Sequence, residues 1–175
     1  MFRQIRIRFD NENKVRPQYY WAYDLYSALI EKMSPALAGG LHNDGLKPLS
    51  HYLMLPERQN SVFGSLTWVI NLLGKETIDE VFPLIVGLES LHLRHYGTSL
   101  RVIEMTAGPV IQENDFVAGH LLNERKTGGL CLRFLSPTSF KSNEEYQLFP
   151  SVEWIVKSSV QKWNSYSRAT GIDDP

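Results

Sequence analysis

The chain has 175 residues, 43% hydrophobic and 21% charged, with net charge −1; that length allows one or two small domains, and that charge argues against non-specific coating of nucleic acid. Its one cysteine, Cys131, excludes an internal disulfide and a cysteine-built zinc site, so a reducing, cytoplasmic setting is expected. No apolar run reaches membrane-spanning length, and the N-terminus MFRQIRIRFD alternates charged with apolar residues, so neither secretion nor membrane insertion is expected.

Phe2 to Phe9 reads as a strand with Ile5, Ile7 and Phe9 on a core face and Gln4, Arg6 and Arg8 on a cationic one. From about Pro17 to Met33 the period turns helical. Tyr19, Ala22, Tyr23, Leu25, Tyr26, Leu29, Ile30 and Met33 fall within an arc of about 160°, and Pro17 stands near the start. Residues 36–54, ALAGGLHNDGLKPLSHYLM, follow as a Gly-rich connection running into a strand. Leu49–Leu55 and Phe63–Leu73 read as paired strands joined by a polar loop around Glu57 to Ser61. A second helix is expected near Thr77, which has capping-box spacing to Glu80, with Pro83 kinking it or delaying its start.

Leu91–Leu93 and Ser99–Met105 read as extended segments around a turn at Tyr96-Gly97. The order to this point is βαββαβ, the ferredoxin-like arrangement of the α+β class. Residues 106–129 are turn-rich at both ends and should connect two units through a short helical piece. Leu130–Leu135 returns to strand, Ser136-Pro137 interrupts it, and a last helix opens at Pro150 or Ser151, with Val152, Val156, Ser159 or Val160, and Trp163 on its buried side. The expected division is 1–108 as a ferredoxin-like domain, 109–128 as a connection, and 129–175 as the start of a second ferredoxin-like unit.

Chemistry concentrates in the first third, where eight Lys/Arg stand against six Asp/Glu in residues 1–60 and the rest of the chain has no such excess. His42 lies just after Gly39 and Gly40, and Lys47 follows five residues on. With Tyr26 from the preceding helix these groups would make a metal-free acid/base site beside a cation. The competing reading is ordinary: a solvent-facing loop histidine, a solvated loop lysine, and a core tyrosine with its hydroxyl at a sheet edge. His92 and His95, three apart in a strand and turn, point different ways and read as surface residues, with no metal site. His51 and His120 carry no recognisable motif, and Cys131 within its apolar run reads as core.

The basic strand, the tyrosine-rich helix QYYWAYDLYSALI, the segment LHNDGLKPLSHYLM, and LRFLSPTSFK followed by LFPSVEWIVKSSVQKWNSY together resemble the CRISPR-associated endoribonucleases that process precursor guide RNA. These are repeat-cleaving members of the RAMP superfamily, built from two ferredoxin-like units. The likeness extends over residues 2–168 and rests on order and spacing as well as on short motifs. It implies His42 as the general acid/base, Tyr26 as the helix tyrosine and Lys47 as the site lysine. It also implies that a C-terminal part, with a Gly-rich RNA-touching loop, is missing from these 175 residues.

The implied reaction is metal-independent RNA scission without a cofactor. A ribose 2′-OH attacks the adjacent phosphorus, the leaving 5′-oxygen takes a proton, and the products carry 2′,3′-cyclic phosphate and 5′-OH ends. Histidine suits the proton transfer because its ordinary pKa lies near 6.5. Lys47 would stabilise charge on the phosphorane, and Tyr26 would position or polarise the nucleophile or the leaving group. Arg6 and Arg8, with Arg3 as a weaker candidate, would meet RNA phosphates, and the RNA expected is hairpin or single-stranded repeat. Besides CRISPR repeat RNA, other CRISPR effector subunits and a second copy of the chain are partners this reading admits, and a membrane is not. Two alternatives stand beside it: a non-catalytic RNA-binding RAMP subunit of an effector complex, and a ferredoxin-like protein-interaction module.

Overall fold

The computed structural model describes residues 1–42, 46–55, 65–120, 131–134, 140–142, 145–147, 149, 151–167 and 171–172. The chain forms two compact units, residues 2–110 and residues 111–175.

In the first unit β1 (Phe2–Asn11) is the middle of a five-stranded antiparallel sheet. β2 (Leu49–Met54) and β3 (Ser65–Leu73) lie to one side of it; β5 (Thr98–Ala107) and, at the far edge, β4 (Ser90–Leu93) lie to the other. The order β2-β3-β1-β5-β4 is the ferredoxin-like sheet with β4 added as an edge strand. The alternation in β1 holds: Ile5, Ile7 and Phe9 are fully buried, whereas Gln4, Arg6 and Arg8 are exposed. Register carries this across the sheet, since Ile5 pairs with Ile70, Ile7 with Trp68 and Phe9 with Leu66. A one-residue slip would turn that whole apolar set to solvent.

Helix α1 (Trp21–Ile30) covers the apolar face with Trp21, Leu25, Leu29 and Ile30. It begins four residues later than Pro17, and two tyrosines of the expected buried arc, Tyr19 and Tyr23, are exposed. The anchor is instead Trp21, whose ring stacks on Tyr96 at 5.2 Å. A larger departure follows. What reads as a Gly-rich connection is a second helix, α2 (Pro35–His42), carrying Gly39 and Gly40 within it. Its start explains why: Ser34 Oγ accepts the Leu37 N–H at 3.3 Å, and Pro35 stands in the first turn, where its missing N–H costs nothing.

Helix α3 (Lys75–Val86) leaves β3 through Gly74, whose φ of +83° and ψ of 150° suit glycine alone. The helix therefore begins before Thr77, the capping-box pairing with Glu80 is not used, and Pro83 lies inside the helix without delaying its start. The turn expected at Tyr96-Gly97 is a single 3₁₀ turn (Arg94–Tyr96) closed by Gly97 at φ +54°. Two surface pairs tie this turn to α1 and the turn that follows it: His95 Nδ1 to Asp24 at 2.7 Å and Arg94 to Glu31 at 3.0 Å. Between Arg8 and Phe9 the β1–β5 register shifts, making Ile103 the extra residue of a bulge.

The second unit contains α4 (Glu113–His120), the two-stranded sheet β6 (Phe140–Ser142) and β7 (Glu145–Gln147), and α5 (Val152–Tyr166). The last helix starts where expected, with Ser151 at its N-cap. Its packed side is shorter than expected: Val160 is buried, but Val152 and Val156 are 76% and 41% exposed. From α4 Phe116 meets Trp163 at 5.7 Å, and Glu113 accepts from the Ser167 hydroxyl. Residues 131–134 form no strand and are exposed, so Cys131 is a surface thiol, contrary to the core position its apolar neighbours suggest. An apolar run is buried only where another element covers it. The loop around Glu57 to Ser61, the break at Ser136-Pro137 and residues 121–129 of the expected connection lie outside the described residues.

Candidate nucleic-acid processing site

The candidate groups stand on separate segments of the first unit. Tyr26 stands on the face of α1 directed at β2, and Lys47 precedes β2 by two residues and is half-buried. His42 is the last residue of α2, five residues before Lys47. Its side chain lies outside what the structure describes.

Tyr26 does not meet a passive wall. Its ring stacks on the imidazole of His51 at 4.9 Å with the planes 16° apart. His51 belongs to the inward face of β2 together with Leu49 and Leu53, and pairs in register with Ile70. On its other side the indole Nε1 of Trp68 donates to His51 Nδ1 at 3.3 Å, and the two rings meet edge to face at 5.8 Å. With Nδ1 accepting, the imidazole is neutral and carries its proton on Nε2. Burial pushes the His51 pKa down to about 4, because a charged ring there loses water and gains no anion. Burial also raises the pKa of Tyr26, so the phenol keeps its proton at neutral pH. The Tyr26 hydroxyl is itself buried, with no hydrogen-bond partner among the described residues.

His51 is the neighbour of Tyr26 that motif reasoning passes over. The signal was present as alternation: in a strand whose odd positions are Leu49, His51 and Leu53, period two places the histidine on the core face. Its depressed pKa carries a consequence for stability. The unfolded imidazole titrates near 6.5 and the folded one near 4, so the neutral form's advantage is complete above pH 6.5 and is lost as pH falls toward 4. Urea unfolding should therefore show a loss on the order of 3 kcal/mol across that interval from this group. His51→Gln, which keeps an acceptor for Trp68 but does not titrate, should lose measurably less; equal losses would refute the assignment.

The three candidate arginines divide between the faces. Arg3 lies on the helix-covered face, its guanidinium 3.6 Å from the ring centroid of Phe82 and its Nε donating to the Gly108 carbonyl at 3.2 Å. Arg6 and Arg8 stand on the open face. Arg6 Nε donates to Gln4 at 3.1 Å, and Arg8 pairs with Glu104 at 2.9 Å, both partners half exposed. On that face Gln4, Asn71 and Ser50 form a line of side-chain hydrogen bonds from β1 to β2. His92 and His95 bond to separate partners, Ser99 and Asp24. Among the described residues no group of three or more His, Cys, Asp or Glu is placed to hold a metal ion. No helix among them is long and apolar enough to cross a membrane.

A central antiparallel sheet in ferredoxin order, covered on one face by α1 and α3, gives residues 2–110 a ferredoxin-like fold of the α+β class. Residues 132–173 match the family model of the CRISPR-associated endoribonuclease Cas6. Two solved structures share the fold over the whole chain. One, a Cas6 (TTHB231) product complex, is 18% identical with a TM-score of 0.67, covering 99% of this chain and 68% of that one. The other, a Cas6 (TTHA0078) product complex, is 14% identical with a TM-score of 0.63, covering 100% of this chain and 66% of that one. The chain thus spans about two thirds of the length of these structures. No curated protein matches it in sequence. The resemblance to the Cas6 endoribonucleases of CRISPR systems stands on the segment match and on the shared fold.

Proposed function

We propose that this protein is a metal-independent endoribonuclease that cuts CRISPR repeat RNA in the precursor transcript, leaving 2′,3′-cyclic phosphate and 5′-OH ends. The observation that carries this reading is the Cas6 family match over residues 132–173, and the fold-wide likeness to two Cas6 product complexes supports it. His42 transfers the proton, Lys47 stabilises the phosphorane charge, and Tyr26 donates from its neutral phenol. The raised pKa of Tyr26 favours donation to the nucleophile or the leaving group over service as a base. Arg6 and Arg8 face RNA on the open side of the sheet, at the cost to Arg8 of its exposed pairing with Glu104. Such a pair is worth at most about 1 kcal/mol, so a phosphate displaces it readily. Arg3, turned to the helices, contributes to the fold of the site-bearing unit more than to RNA. In this reading residues 1–108 carry the site, residues 129–175 begin the second RAMP unit, and the protein works in the cytoplasm.

The test is direct. Incubated in EDTA with its repeat transcript, the protein yields one cut per repeat, an upstream fragment ending in cyclic phosphate and a downstream fragment with 5′-OH. A requirement for a divalent ion, or a 5′-phosphate on the product, would overturn the mechanism. A gel shift of the repeat without any new fragment would turn the assignment to a non-catalytic RAMP subunit.

A further inference from the structure

We infer that His51 is a positioning residue for Tyr26, an imidazole platform that fixes the phenol ring from the protein side so that its buried hydroxyl is left for RNA to engage. The inference rests on the reading of Tyr26 as a group acting in RNA cleavage.

Three contacts in series carry it. Trp68 is fully buried in β3. Its Nε1–H holds His51 Nδ1 at 3.3 Å, which fixes both the tautomer and the plane of the imidazole. That plane then lies against the Tyr26 ring at 4.9 Å and 16°, closer to parallel than the tilted pairings of Tyr20 with Tyr96 at 38° and Phe116 with Trp163 at 36°. A flat stack constrains the tilt of the phenol and uses none of the hydrogen-bonding capacity of its hydroxyl. The hydroxyl in fact has no partner among the described residues although it is buried. More than about nine in ten buried polar atoms are paired in folded proteins, so an orphan of this kind needs a reason. A site that leaves a donor unsatisfied until its ligand arrives supplies one. Because Nδ1 accepts from Trp68 and Nε2 carries the ring proton, the imidazole has no free lone pair to draw off the phenolic proton, and the donor stays a donor.

The experiment compares Tyr26→Phe, His51→Leu, His51→Phe and the double variant Tyr26→Phe/His51→Leu. His51→Leu removes the flat wall and should slow single-turnover cleavage of the repeat transcript by about 10-fold, with the Kd for RNA within about twofold of the parent. His51→Phe keeps a flat ring and should recover most of that loss. In the Tyr26→Phe background, where no hydroxyl remains to be placed, His51→Leu should cost less than about twofold. A merely structural histidine would cost the same in both backgrounds, and that outcome refutes the inference. Ring-flip rates of Tyr26 measured by NMR in the RNA-free protein give an arm that needs no activity. His51→Leu should speed the flip at least about 10-fold, and an unchanged rate refutes the inference. If Tyr26→Phe cleaves at the parent rate, the reading of Tyr26 fails. If Tyr26→Phe is impaired and His51→Leu is not, only the positioning role fails.

Discussion

His42→Ala is expected to lower the single-turnover cleavage rate by about 10²- to 10⁴-fold and to leave repeat binding within a few fold of the parent, the range over which a positioned general acid or base contributes. The proposed reaction needs a proton taken from a 2′-OH and one delivered to a 5′-oxygen, and imidazole is the side chain whose ordinary pKa lets it do either near pH 7. His51, His92 and His95 are poor substitutes. His51 is neutral, buried and bonded to Trp68 through Nδ1, and His92 and His95 are engaged with Ser99 and Asp24. Replacing the scissile 2′-OH by hydrogen should abolish cleavage in the parent protein, because the nucleophile itself is removed. Rapid quench with an end-labelled transcript measures both effects. Cleavage by His42→Ala at more than about one tenth of the parent rate would remove this residue from the mechanism.

Trp68→Ala is expected to destabilise the protein by about 3 to 5 kcal/mol in urea unfolding, the largest effect on stability of any single change considered. Trp68 is fully buried in β3, its neighbours across β1 and β2 are Ile7 and Leu53, and both of those are likewise buried. Truncation opens a cavity in the densest part of the sheet and deletes the N–H that His51 Nδ1 accepts. A conservative comparison separates the two losses. Trp68→Phe keeps an aromatic body and should cost distinctly less than the alanine variant, while releasing the imidazole that faces Tyr26. A cost for Trp68→Ala under about 1.5 kcal/mol would show that this part of the core collapses around the gap.

Much of the sheet was legible because its signals are local and of period two. The β1 alternation of Ile5, Ile7 and Phe9 with Gln4, Arg6 and Arg8 survives intact in the folded chain, and the order of strands and helices through Ala107 does so apart from the added helix α2. The resemblance was legible in the later third, where LRFLSPTSFK and the helix after it fall within the segment that matches the Cas6 model. The candidate site was only partly legible. Its residues 36–42 carry two glycines, which as composition suggest a loop, but Ser34 and Pro35 start a helix that Ala36, Leu37 and Ala38 favour strongly enough to run through Gly39 and Gly40. Thr77 and Glu80 mislead in the opposite sense: the spacing fits a capping box, yet the turn at Gly74 launches α3 before it.

Sequence by itself determined the ferredoxin-like class, the inward face of β1 and the positions of Tyr26, His42 and Lys47 along the chain, since periodicity and residue chemistry are properties of neighbours. Only tertiary structure decided that Tyr26 stacks on His51, that Trp68 holds that imidazole, and that Arg3 lies over the ring of Phe82. Those facts depend on groups 17 to 79 positions apart being brought together by sheet register and helix docking, and no local pattern encodes a distance between elements.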